Sequence, residues 1–185
     1  MGLCELLFAM EEAMRTIVAL GFVSLSVHSA FAQQPLDIQT VTVGPWVIGT
    51  TYKADKFENC TMTRSAGGLG ITFVRTQDGL LLLLDSPKWR LERGKAYTVQ
   101  LGAGPQIVEA KALAETKAVT ITLADRAFNQ KLSTANFLDV RGEGTKLQVP
   151  LDQSAAALER LNLCFEKNSR ESSESNPFVA PTKRP

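Results

Sequence analysis

A chain of 185 residues with a formal net charge of +1 carries too little excess charge to hold a nucleic acid by electrostatics alone. Its one histidine, His28, falls inside an N-terminal leader pattern, so the processed chain lacks the imidazole of a Ser-His-Asp or Cys-His set. No G-x-S-x-G elbow and no S-x-x-K is present either.

Arg15 precedes an uncharged apolar run, Thr16 to Val27, that leads to Ala30-Phe31-Ala32. A positive start, a short apolar core and a small-x-small site predict a secretory signal peptide over residues 1–32, cleaved after Ala32. The run is shorter than the roughly 20 residues that a transmembrane helix requires. Glu5, Glu11 and Glu12 are out of place before such a core, so translation is expected to start at Met14, with residues 1–13 an upstream misassignment. Cleavage removes Cys4 and His28. Losing Arg15 and the three glutamates leaves 19 Lys and Arg against 16 Asp and Glu, a net charge near +3. The residue directly after the cleavage site is Gln33, not cysteine, which argues against a lipid anchor. The expected product is a single exported domain, periplasmic or secreted, where disulfides persist.

Residues 33–43 read as a lead-in, and a globular β-rich domain is expected over 44–167. Trp46, Ile48, Thr50 and Tyr52 alternate with Val47, Gly49 and Thr51, which predicts a strand. Phe57 to Arg64 predicts the next, with Cys60 and Met62 on one face and Asn59, Thr61 and Thr63 on the other. Ala66-Gly67-Gly68 is a turn. Leu69, Ile71 and Phe73 mark a third strand. Gln77-Asp78-Gly79 is a hairpin signal. It leads to Leu80-Leu81-Leu82-Leu83-Leu84, read as a strand buried on both faces. Trp89 and Leu91 then alternate with Lys88, Arg90 and Glu92 as an amphipathic strand. Tyr97, Val99 and Leu101 follow, ended by Gly102-Ala103-Gly104-Pro105. Ile107 to Leu113 favours a strand, and Val119 to Leu123 is another. Asp125 is placed to cap a short helix carrying Phe128, Leu132 and Ala135 on one side. Phe137 to Arg141 and Thr145 to Val149 flank Gly142-Glu143-Gly144 as a closing hairpin. Asp152 or Ser154 introduces a last helix with the stripe Ala157, Leu158, Leu161, Cys164 and Phe165. Residues 168–185 are expected to be a disordered tail. The fold class is mainly β: an antiparallel sandwich or half-open barrel of about eight strands, with one short helix and a C-terminal helix.

After cleavage two cysteines remain, Cys60 and Cys164. Two thiols without histidine leave a zinc shell half filled. Redox catalysis usually places its thiols close together as C-x-x-C. A structural disulfide that pins the last helix to the sheet is therefore expected. Asp55, Glu58, Asp85 and Glu92 are the candidates for paired-carboxylate hydrolysis, though turns and polar strand faces suit ordinary solvated charges equally. Gly67-Gly68-Leu69-Gly70 and Gly102-Ala103-Gly104 match neither Gly-rich nucleotide motif, and no cofactor is expected. Lys88, Trp89, Arg90, Arg93 and Lys95 form the densest cationic patch, a candidate interaction surface; the alternative is a solvated strand face. Asn59-Cys60-Thr61 matches a glycosylation sequon.

Gly44-Pro45-Trp46, Cys60-Thr61-Met62, the step Trp89-Arg90-Leu91-Glu92-Arg93-Gly94 and Val149-Pro150-Leu151 occur in an order that resembles the exported invasion-associated locus B proteins of α-proteobacteria. The likeness spans residues 44–165. It departs from that family where an additional cysteine is expected near the first strand. The resemblance implies a small periplasmic protein linked to envelope or host interaction, and it carries no functional residue across. The function expected is a non-enzymatic binding module for an unidentified protein or envelope component. A secreted inhibitor of a protease or other hydrolase is the alternative, and a carboxylate-based hydrolase comes last.

Overall fold

The computed structural model describes residues 40–54 and 56–174, with side chains placed through residue 170. The expected leader and its cleavage site, most of the lead-in, Asp55 and residues 175–185 lie outside the described residues. In chain order the strands are β1 (Val41–Val43), β2 (Trp46–Lys53), β3 (Lys56–Ala66), β4 (Leu69–Thr76), β5 (Gly79–Asp85), β6 (Ala96–Ala103), β7 (Gln106–Ala114) and β8 (Ala118–Leu123). Helix α1 (Arg126–Leu132), β9 (Phe137–Arg141), β10 (Lys146–Pro150) and α2 (Ser154–Glu174) complete the chain.

Turn chemistry lays down the first half of the sheet. Gly67 and Gly68 have φ of 60° and 80°, a pair of positive values that suits the right-handed twist of the β3–β4 hairpin. Gly104, at φ 61°, opens the tight turn from β6 to β7. Strands β1 to β5 each pair with their neighbour in sequence, and β5 then pairs with β8 across the inserted β6–β7 hairpin. The full order is β1-β2-β3-β4-β5-β8-β7-β6-β9-β10, antiparallel throughout. The ten strands make one continuous sheet in place of the two sheets of a sandwich, and it does not close into a barrel. It nevertheless curls: Arg64 of β3 donates to the carbonyl of Pro150, the last residue of edge strand β10, at 3.2 Å.

One face of the sheet is dry. Trp46, Ile48, Cys60, Met62, Ile71, Phe73, Leu82, Leu84, Leu101, Ile121, Val140 and Val149 point into a single core cluster. Helix α1 adds Phe128 and Leu132, and α2 adds Ala157, Leu158 and Leu161. Both helices therefore lie on the inner face. Trp46 is fully buried; its Nε1 donates to the carbonyl of Asp152 at 2.8 Å, and its ring meets Phe73 edge-on at 5.9 Å. Asp125 caps α1 as expected, its carboxylate accepting from the Phe128 amide at 2.9 Å.

Several expectations are corrected. Val41–Val43 is a strand paired with β2, where a lead-in was expected. The Leu80–Leu84 run is fully buried on one face only, since Leu81 and Leu83 stay half-exposed on the other. Residues 86–95 are a loop, although Trp89 and Leu91 alternate as in a strand. That loop must cross from β5 to β6 past the β7–β8 turn, and its amides are spent there: Leu91 donates to Thr116 at 2.9 Å and Gly94 to Ala114 at 2.8 Å. Neither side chain proposed to introduce α2 caps it. The Ser154 hydroxyl donates to the Leu132 carbonyl at 2.7 Å, tying α2 to α1, and the Asp152 carboxylate pairs with Arg64 at 3.1 Å. Finally, α2 runs on through residues 168–174, which were expected to belong to a tail.

Candidate functional site

Cys60 and Cys164 are bridged, joining β3 to α2 across 104 residues with a Cα–Cα distance of 6.2 Å. The strand pattern puts Cys60 on the inner face, where it is fully buried. Register between β2 and β3 shifts at Thr51/Tyr52, so that Thr51 faces Asn59 and Tyr52 faces Phe57, leaving Glu58 as the bulged residue. The extra residue turns Phe57 toward α2, where its ring meets Phe165 at 5.5 Å and Tyr52 at 6.2 Å. Arg75, in register with Cys60, lies over the Phe165 ring at 5.8 Å. Cys164 is only half-buried. The Thr50 hydroxyl donates to its Sγ at 3.5 Å. The Asn168 amide donates to the Cys164 carbonyl at 2.8 Å and lies 3.9 Å from its Sγ. Tyr52 donates to Asn168 Oδ1 at 2.9 Å. Among the described residues no three His, Cys, Asp or Glu side chains form a metal-binding group.

The cationic patch lies along the 86–95 loop, and its charges are largely spent locally. Arg93 pairs with Glu115 at 2.6 Å and Lys95 with Glu92 at 3.4 Å. Arg90 donates to the carbonyls of Pro87 and Trp89 at 2.9 and 2.7 Å. Lys95 also lies over the Tyr97 ring at 5.3 Å. Trp89 is half-buried against the core. Lys88 and Arg90 stay exposed at the loop's edge.

Among the described candidate carboxylates, Asp85 and Glu58 lie far apart. Asp85 is in register with Gly70, which is in register with Ser65. Glu58 lies seven residues down β3 from Ser65, roughly 23 Å away along an extended strand. Glu92 is engaged by Lys95. The Asp85 side chain lies over Gly70, in the space that any Cβ there would occupy. A different carboxylate is perturbed: the Lys146 ammonium, at 2.8 Å, holds Asp139 below the ordinary carboxylate range, helped by Gln148 and Arg141.

The sheet's outer face carries a feature that no single segment announces. Val47, Thr63, Thr72, Leu83, Thr120 and Leu113 stand in register on six neighbouring strands, β2-β3-β4-β5-β8-β7. A second row, Gly49, Thr61, Val74, Leu81 and Thr122, runs beside it. Neither row contains a charge. No helix covers them among the described residues, and Val47 and Leu113 are 43% and 53% exposed. At a strand spacing of about 4.8 Å the longer row is about 24 Å wide.

The chain matches no protein-family model, no curated protein and no solved structure. The geometry alone therefore guides a functional reading. Beside the uncharged band, the 86–95 loop packs against residues 114–117 through Ser86, Leu91 and Gly94 amides. That rim holds five cations (Lys88, Arg90, Arg93, Lys95 and Lys117) against three acids (Asp85, Glu92 and Glu115). Sequence reasoning found the rim but missed the band. Alternation identifies each strand, whereas only register shows that their uncharged positions line up.

Proposed function

We propose that this is a non-enzymatic exported binding module that docks a protein partner of the cell envelope on the outer face of its sheet. The observation that carries the reading is the uncharged band, one row across β2-β3-β4-β5-β8-β7 and a second across β2-β3-β4-β5-β8. Burying it desolvates no charge, and Thr and Leu side chains held by a ladder lose little further freedom. Two rows, each about 7 Å deep and about 24 and 19 Å long, present roughly 300 Å². That is in the range of functional surface patches. It is well short of the about 800 Å² per partner of a standard interface. A stable contact must therefore extend onto the rim, which has two more cations than acids. The partner that fits has an uncharged flat centre and an acidic margin at one end. This reading takes in a cleaved leader ending at Ala32, a periplasmic location and the resemblance to the invasion-associated locus B proteins.

A photo-crosslinking residue placed at Thr72 or Thr120, in cells that express the protein, tests the reading. One defined protein adduct from both positions is expected, with none from Glu159 on the exposed side of α2, and Leu83→Lys should abolish it. Equal capture from Glu159, or capture that Leu83→Lys leaves intact, overturns it.

A further inference from the structure

We infer that Cys164 is a thiol-exchange site at which a dithiol of the exported compartment opens the Cys60–Cys164 bridge and unclasps the C-terminal part of α2. Three observations carry this, independently of the docking surface. First, the two sulfurs are unequal: Cys60 is fully buried under the sheet's inner face, and Cys164 is half-buried on a helix. An incoming thiolate reaches Cys164 more readily. Second, Cys164 Sγ has donors beside it, the Thr50 hydroxyl at 3.5 Å and the Asn168 amide at 3.9 Å. Such donors favour the departure of Cys164 as a thiolate when the mixed disulfide is resolved. Third, α2 is anchored without the bridge at its other end. Ser154, Ala157, Leu158 and Leu161 are buried, Ser154 is hydrogen-bonded to Leu132, and the preceding segment is held by Trp46 and Arg64.

The exchange balances in two steps. A thiolate of the dithiol attacks Cys164 Sγ; the bond to Cys60 breaks, and Cys60 leaves with the electron pair and takes up a proton. The dithiol's second thiolate then attacks its own partner sulfur in the mixed disulfide. Cys164 leaves as a thiolate next to Thr50 and Asn168. The dithiol ends oxidised to a disulfide, and the protein is reduced by two electrons. The reverse sequence, with an oxidised dithiol, closes the clasp again.

The test starts from the full-length oxidised protein under native conditions. Glutathione, a monothiol, traps the first step. Peptide mass spectrometry should find the adduct on Cys164, with Cys60 free. Dithiothreitol then completes reduction. Backbone amides of residues 164–174 should then exchange hydrogen at least ten-fold faster than before and faster than those of residues 154–161 and β3, which lose only the protection that the lower global stability removes. Thr50→Val should leave the adduct in place and slow its resolution by dithiothreitol several-fold. An adduct on Cys60, no adduct at all, or hydrogen exchange as fast across the whole sheet as across residues 164–174 on reduction overturns the proposal. Unchanged resolution in Thr50→Val removes the assigned role of the hydroxyl and overturns that part of it. The glutathione arm reads the initial attack even in a protein whose reduced form is unstable.

Discussion

Replacing both bridge cysteines by alanine should cost about 5–6 kcal/mol. The bridge joins residues 104 apart. In the chain-entropy model, closing a loop of that length removes about 16 cal/mol/K from the denatured chain, or about 4.8 kcal/mol at 25 °C. The native state adds a smaller loss. Cys60 is fully buried, so Cys60→Ala leaves a void of about one sulfur, on the order of 1 kcal/mol. The Thr50 hydroxyl loses its sulfur acceptor, but Thr50 is half-exposed and finds water, so that loss is minor. Loop entropy therefore dominates. It should make Cys164→Ala nearly as costly as the double variant, since either change opens the loop. A folded body of about 135 residues has an unfolding entropy of about 0.28 kcal/mol/K, so Tm should fall by about 20 °C. Urea unfolding followed by tryptophan fluorescence measures it. The midpoint should drop, and m should rise, because the denatured chain without its cross-link expands. A loss below about 2 kcal/mol with m unchanged would refute the reasoning. Against a typical domain stability of about 5–15 kcal/mol, the bridge is a third or more of the total.

Arg64→Ala should cost about 2–4 kcal/mol in the same assay. It removes a side chain only 11% exposed, its stacking on Trp46 at 5.1 Å and its bond to Pro150. Asp152→Ala should cost under about 1 kcal/mol, because Asp152 is 65% exposed and solvent screens the pair. Similar losses for the two would show that the ion pair, not packing, matters. Asp125→Ala should lose about 1 kcal/mol through the orphaned Phe128 amide at the start of α1. Asp139→Asn should lose up to about 1 kcal/mol above about pH 4. Asp139 is held below the ordinary carboxylate range by Lys146, so its contribution is full where both states are ionised. It fades as pH falls through the folded-state value, and wild type and variant should converge below it. A gap that persists or widens on acidification contradicts the assignment.

Strands were legible where one face is core and the turn residues leave little choice. Phe57 to Arg64 and Val119 to Leu123 are of this kind. Their alternation is imposed by burial, and Gly67-Gly68 specifies the hairpin that follows the first. The 88–92 stretch misled because Trp89-x-Leu91 alternates for another reason: Trp89 packs on the core's margin, and Leu91 ties its amide to Thr116, in a loop whose amides bond to the β7–β8 turn. The Glu58 bulge left no composition signal, yet it decides that Phe57 meets Phe165. Residues 168–174 lack apolar content, so their helix reads from the structure and not from patterning. Around Cys164, Thr50 and Tyr52 lie more than 100 residues from Asn168, and nothing local connects them. The paired cysteines themselves were found by elimination, which needs no geometry.

The sheet's connectivity also dictates a schedule. Strands β1 to β5 pair only with chain neighbours until β8 arrives, so the first hairpins can form while the rest of the chain is still being made. Cys60 then has 104 residues to wait for its partner. At about 5–20 residues per second of synthesis, that delay is roughly 5–20 s. No cysteine lies between the two in the chain, so the waiting thiol meets no competing partner within that span. The last of the described elements is the one that locks an early strand. A nascent chain that stalls before residue 164 has its hairpins but no lock, and its unbridged Cys60 would mark it as unfinished.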